Sequence, residues 1–305
     1  MKQNPFSLYD FLGYLIPGST LIYAYLIIVK WSNNISDFNL EKLLSSLSES
    51  NFQDIFFFVI AAYSLGHLIS FVSSITIEKY GNWRYGYPSK TVIGYEKKSY
   101  WVLDTEPNTS LTDKYLYETD TAKSSRRQKN FGRFILVLFI LPLFLIEYII
   151  GIKLNFKNFY SKGLDPYLMD CIKEKTIFLL NSIKNDTNIH VDESKLKTID
   201  FNRIVHHYAF ENSKEHQFRM VNYVALYGFL RNLVLTFIFA FWFYFIISLK
   251  TIDLDLSINW KMIRWNLVIM LLSFISFMAY MKFYRRYTLE GLMLIVVDKE
   301  IKDGA

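Results

Sequence analysis

Residues 55–75, IFFFVIAAYSLGHLISFVSSI, carry no lysine, arginine, aspartate or glutamate. A helix of about 20 apolar residues is long enough to cross the hydrocarbon core of a bilayer. This stretch therefore reads as a membrane span, and it decides the class of the protein. Its polar content is ordered. On a helix Gly66, Ser70 and Ser74 follow one another at i, i+4 and i+8, a row of small residues that lets a neighbouring helix come close. His67, Ser70, Ser74 and Glu78 make an adjoining polar stripe that runs to the end of the span. An imidazole in hydrocarbon is costly without a partner, so this face should turn away from lipid. Two readings stay open: tight helix packing with His67 bonded to a neighbouring span, or an aqueous path lined by several subunits. Catalysis or metal binding by His67 is a third, weaker reading.

Four further apolar stretches flank it: Leu8–Val29, Phe134–Ile152, Leu233–Leu249 and Met262–Met281. The chain of 305 residues is 52% hydrophobic and 18% aromatic, with a net charge of +6, which suits spans joined by sizeable polar segments. Pro17 removes one backbone donor from the first span, so a neighbouring helix has to satisfy the carbonyl it leaves open. Positive charge predicts sidedness. The 251–260 loop holds Asp253 and Asp255 without a basic residue and reads as external, as does the mildly acidic 30–54 loop. The basic 76–131 segment and the tail after Lys282 read as cytoplasmic. These assignments agree with one another if Phe134–Ile152, with its Pro142 and Glu147, is re-entrant and four segments cross fully. Five crossings require one loop to defy the rule. The expected fold is a mainly α-helical polytopic membrane protein with small cytoplasmic lobes. Residues 1–78 form a transmembrane hairpin, 79–131 a basic lobe and 132–152 the third apolar segment. Residues 153–222 form a helical lobe, and 223–305 a second hairpin with an amphipathic tail.

In the polar segments, Asp165 and Pro166 make a helix start, and Leu168, Cys171, Ile172, Phe178, Leu179 and Ile183 make one apolar stripe. Alternation over 99–103 allows a short strand. The run KSSRRQKNFGR, 123–133, is the densest positive cluster. Beside a membrane such residues hold anionic headgroups. They also offer a polyanion site: Arg84, Lys123, Arg126, Arg127, Lys129 and Arg133 would grip phosphates, while Tyr80, Trp83, Tyr85 and Tyr87 would stack bases. Arg219 (spaced to pair with Glu215), Arg231, Arg285 and Arg286 sit among aromatics and read as membrane-interface anchors. Cys171 stands alone, His190, His206, His207 and His216 are scattered, and no phosphate loop, nucleophile elbow or HExxH occurs. The expectation is accordingly no enzyme, no metal and no cofactor.

The motifs YDFLGYLIPG (9–18), SLGHLIS (64–70) with GYPSK (86–90), LYGFLRNL (226–233) and FYRRY (283–287) resemble bacterial membrane proteins of anti-phage defence, among them the Hailong membrane effectors. That resemblance implies a homo-oligomer, taken as a tetramer, in the inner membrane. It also implies ion conduction controlled by an oligonucleotide, such as single-stranded DNA, made by a partner nucleotidyltransferase. The competing reading is a non-conducting sensor or scaffold that recruits a cytosolic partner.

Overall fold

The computed structural model describes residues 10–33, 51–95, 100–102, 120–183, 190–250 and 260–298. Among them every regular element is helical and no strand forms. The part of the 99–103 stretch that is described, Tyr100–Val102, lies in a bend, so the alternation there does not produce a strand. The helices are α1 (Ile16–Asn33), α2 (Phe52–Ser73), α3 (Lys79–Tyr85), α4 (Pro88–Thr91), α5 (Asp120–Phe139) and α6 (Leu141–Ile146). They continue as α7 (Asn158–Ser161), α8 (Pro166–Ser182), α9 (Glu193–Leu196), α10 (Asn202–Asn212), α11 (Lys214–Lys250) and α12 (Trp260–Val297). Three wide turns of π type interrupt the α-helical register, at Phe11–Leu15, Ser74–Glu78 and Glu147–Lys153.

Four helical stretches are long and apolar enough to span a membrane: Phe11–Val29, Phe52–Thr91, Lys214–Leu249 and Ile263–Val297. The third apolar segment is broken. Its backbone leaves the helical region at Ile140, and Pro142 then sits in the first turn of α6. It makes a fifth span only if the two halves on either side of that break are counted as one. The protein is thus a multi-pass α-helical membrane protein.

The chain divides into two units. The first comprises residues 1–78, 140–156 and 225–280. Its helices carry large apolar side chains on their outer faces, including Phe52, Phe56, Phe57, Leu68 and Phe71 on α2. Only 17% of the most apolar window of the second span is buried within the chain, so most of that surface needs lipid or another apolar partner. Inside the unit, α1 and α2 touch backbone to backbone. A β-carbon at Gly18 would stand 1.8 Å from the Ala62 carbonyl oxygen, and one at Gly66 would stand 1.9 Å from that of Tyr14. Only glycine permits this approach.

The second unit comprises residues 79–139, 157–224 and 281–305. It has an apolar core of its own. Val92, Ile93, Ile172, Leu179, Leu180, Val191, Leu196, Phe201, Val205, Leu292 and Ile295 form one apolar core. The stretch after α4, helices α8 to α10 and the end of α12 therefore share a single interior. Helix α8 starts where sequence rules place it: the Asp165 carboxylate accepts the Leu168 N–H at 3.0 Å, with Pro166 in the first turn. Asn181 pins the chain after α8 by bonding both the N–H and the C=O of Val191, at 2.9 and 3.0 Å. Lys90 donates to the carbonyls of Leu196 and Ile199, each at 2.6 Å, which closes the turn after α9.

Candidate functional site

The first unit buries a connected set of polar side chains among its spans. Arg231 and Asn232, adjacent on α11, are 9% and 1% exposed. The Arg231 guanidinium pairs with the Glu78 carboxylate, and its Nε donates to Ser73 Oγ at 3.1 Å. Ser73 Oγ donates onward to Asn232 Oδ1, and Asn232 Nδ2 donates to the Gly13 carbonyl at 2.7 Å. The order is directional: guanidinium to hydroxyl, hydroxyl to amide, amide to backbone. A charge in a membrane-spanning unit is expensive unless paired, and such pairs mark function by default.

Local backbone geometry explains why these residues meet. Pro17 has no N–H, so the Gly13 carbonyl, four residues earlier, lacks its α-helical donor. Asn232 supplies one from another helix, the outcome that the proline requires. On α2 the wide turn Ser74–Glu78 inserts an extra residue into the repeat. Ser73 and Glu78, five residues apart, thereby come to one face and both reach Arg231. Ideal helical spacing selects Ser70 and Ser74 instead. Ser70 contributes only its carbonyl to Arg231, at 3.4 Å, and the Ser74 hydroxyl donates to its own helix at Phe71 O, 2.7 Å away. Arg231, expected as a headgroup anchor, is turned inward onto α2. The polarity of Arg231 and Asn232 was visible in the sequence, but the register that makes Ser73 their partner was not.

Gly66 lies against Tyr14 of the same chain, so its open side is filled by the first span. His67 lies on the outer side of α2 and is exposed in the single chain. Its ring stacks on Tyr14 at 3.9 Å between centroids, with Tyr63 edge-on at 4.6 Å. Glu147, opening the wide turn 147–153 in the same unit, is fully buried.

The basic residues of the second unit differ in exposure. Arg127 and Lys129 are exposed, Arg84 and Arg126 are half-buried, and the Lys123 side chain lies outside the described residues. Arg133 is engaged within the fold. Its guanidinium lies over the Trp83 ring at 4.7 Å and donates to the Tyr100 carbonyl, while Tyr100 Oη donates back to Arg133 O at 2.9 Å. Asn130 holds both backbone groups of Val102, fixing the 100–102 segment on α5. Burial pushes the Tyr100 hydroxyl up to about 12, against the opposing pull of Arg133 and Arg84. Of the four aromatics proposed for stacking, Tyr80 and Tyr85 are buried, Trp83 lies under Arg133 and Tyr87 is open.

Arg219 reaches Glu290 at 3.3 Å, where helical spacing points to Glu215, and His216 Nδ1 shares the same carboxylate at 3.1 Å. Arg286 is exposed beside the Phe283 ring, and Arg285 is half-buried. His206 is buried against Tyr287, with ring centroids 4.4 Å apart. Its Nε2 has no hydrogen-bond partner among the described residues, and burial holds its pKa down at about 4. Gly291 leaves room for this ring, because a β-carbon there would stand 2.7 Å from His206 Cδ2. No group of three or more His, Cys, Asp or Glu gathers in metal-binding fashion among the described residues. No family model, curated protein or solved structure matches the chain.

Proposed function

We propose that this protein is a homo-oligomeric, ion-conducting effector of the bacterial inner membrane, controlled by an anionic ligand on its basic, cytoplasmic side. The observation that carries the reading is His67. It lies on the outer side of an otherwise apolar span and is exposed in the single chain. Tyr14 stacks on the ring and Tyr63 meets it edge-on, yet the residue stays exposed. An imidazole at that position calls for water or a second copy of the chain rather than lipid. A ring of copies with His67 towards the shared axis supplies both. Inside each copy the Glu78–Arg231–Ser73–Asn232 chain ties the second and fourth apolar stretches to the first, so it holds one conformation of the unit. The resemblance of short sequence motifs to anti-phage defence effectors suggests this reading, and the basic character of the 76–131 segment suits it.

The filled site at Gly66 favours the rival reading, a non-conducting scaffold. The small residue best suited to packing between copies already receives the first span of its own chain. Planar-bilayer recording separates the two. The effector reading expects discrete currents from purified oligomers, an altered unit conductance in His67→Leu, and gating by short single-stranded DNA. Silent bilayers from folded protein overturn conduction. Currents indifferent to DNA and to charge reversal at Arg127 and Lys129 overturn the ligand assignment.

A further inference from the structure

We propose that Arg285, with Lys162, holds a phosphate-type anion in a pocket of the second unit, and that the anion is the headgroup of an acidic lipid. The pocket is lined by Tyr85, Gly86, Thr91, Tyr160, Lys162 and Arg285, with Pro88 and Met281 as apolar walls. Arg285 carries the case. Its Nε is shielded from solvent and has no acceptor among the described residues. A guanidinium cannot relieve that state by losing its proton, and its planar fork matches phosphate oxygens in pairs. The exposed ammonium of Lys162 stands on the same rim and adds a second positive charge. Tyr85 and Tyr160 place two hydroxyls 2.9 Å apart in the lining. Gly86, at φ +79°, turns the chain tightly at the edge, and a β-carbon there would strike Thr91 at 2.7 Å. The result is a concave site with two cations facing it and, among its lining residues, no carboxylate.

Helix length points to lipid as the source of the anion. Arg285 is 22 residues along α12 from Ile263, where the apolar span begins. At 1.5 Å per residue that is roughly 33 Å, about the thickness of the hydrocarbon core, so Arg285 lies at headgroup level when α12 crosses the bilayer. The inference goes beyond ion conduction and does not depend on it, because the site would exist in a silent protein too.

Native mass spectrometry of protein released from nanodiscs of mixed phosphatidylcholine and phosphatidylglycerol tests it. Wild type should retain phosphatidylglycerol. Arg285→Gln should lose it by about tenfold, the scale of one charge-assisted hydrogen bond, and Lys162→Gln by less. Arg286→Gln, which removes the same charge next door from an exposed position, should behave as wild type. Arg285→Lys should restore part of the retention, and the exposed Lys162 variant keeps the test alive if Arg285→Gln fails to fold. In phosphatidylcholine nanodiscs a second arm adds inorganic phosphate and reads thermal unfolding. Stabilisation of wild type but not Arg285→Gln, with unchanged lipid retention, would keep the anion site and overturn lipid as its source. If the Arg285 and Lys162 variants match Arg286→Gln in both arms, the site does not exist.

Discussion

Both units bury apolar side chains, but they differ in the polar groups they hide and in the apolar groups they leave outside. The membrane-spanning unit hides an arginine, a serine and an asparagine, and turns phenylalanines outward. The second unit hides Ile172, Phe201, Val205 and Ile295, and the one imidazole in its interior is held neutral. Both follow from one rule applied in two solvents. Water drives apolar surface inward, whereas lipid gives apolar surface no reason to leave and drives hydrogen-bonding groups together instead. Charge is tolerated inside the spans because it is paired. Inside the second unit the buried imidazole of His206 is held neutral.

The largest effect is expected at Glu78. Glu78→Leu leaves Arg231 buried without its counter-charge and should lower stability in detergent by about 3–5 kcal/mol. The double variant Glu78→Leu with Arg231→Met should recover most of that loss in thermal melts, because no charge is left unpaired. Equal loss in both variants would mean that the pair itself, rather than its balance, holds the spans.

Ile172→Ala tests the other solvent. A fully buried isoleucine in a packed core should give up about 2–5 kcal/mol, with the first unit undisturbed. Hydrogen exchange should show the loosening confined to the second unit. A loss spread over both units would show them to be one cooperative body.

The imidazole adds a pH signature. Above the ordinary value of 6.5 His206 is neutral in both folded and unfolded chains, so it imposes no pH dependence. Between 6.5 and about 4 the unfolded chain takes up a proton that the folded one refuses, and stability falls as the pH falls. Across that window the loss approaches about 3 kcal/mol. His206→Phe should flatten this part of the profile, and an unchanged slope would assign the acid sensitivity to another group.

Asn232→Leu is the smallest change, about 1–3 kcal/mol, because it leaves one backbone carbonyl without its donor. Pro17→Ala should soften the effect by giving the Gly13 carbonyl an N–H of its own helix. If the two substitutions add without coupling, Asn232 does not stand in for the proline's missing donor.

What could be read from sequence follows the same divide. The long apolar stretches and the need for a donor opposite Pro17 are properties of local composition, and both are present in the structure. The start of α8 at Asp165 and Pro166 is local too. The polar chain was half legible: Glu78 and Arg231 stand out as charges beside apolar runs, but a wide turn shifts the face by one residue and hides Ser73. The core of the second unit was illegible for another reason. Residues 92–95, 172–205 and 289–296 meet across long sequence separations, and no periodicity within one segment names its partner. Arg133 shows the limit for binding sites, since a basic residue in a basic run looks available until its aromatic neighbours are in place.

The bond from Asn232 to Gly13 also sets an order of events during synthesis. Donor and acceptor are 219 residues apart, so the first span enters the bilayer with an open carbonyl and keeps it until the fourth apolar stretch emerges. At ordinary elongation rates of about 5–20 residues per second that interval is about 10–40 s. During it the nascent hairpin of α1 and α2 is incomplete by one hydrogen bond in a medium that offers none. Ribosome-bound chains ending before and after residue 232 should therefore differ in protease protection of the first hairpin, and the difference should vanish in Pro17→Ala.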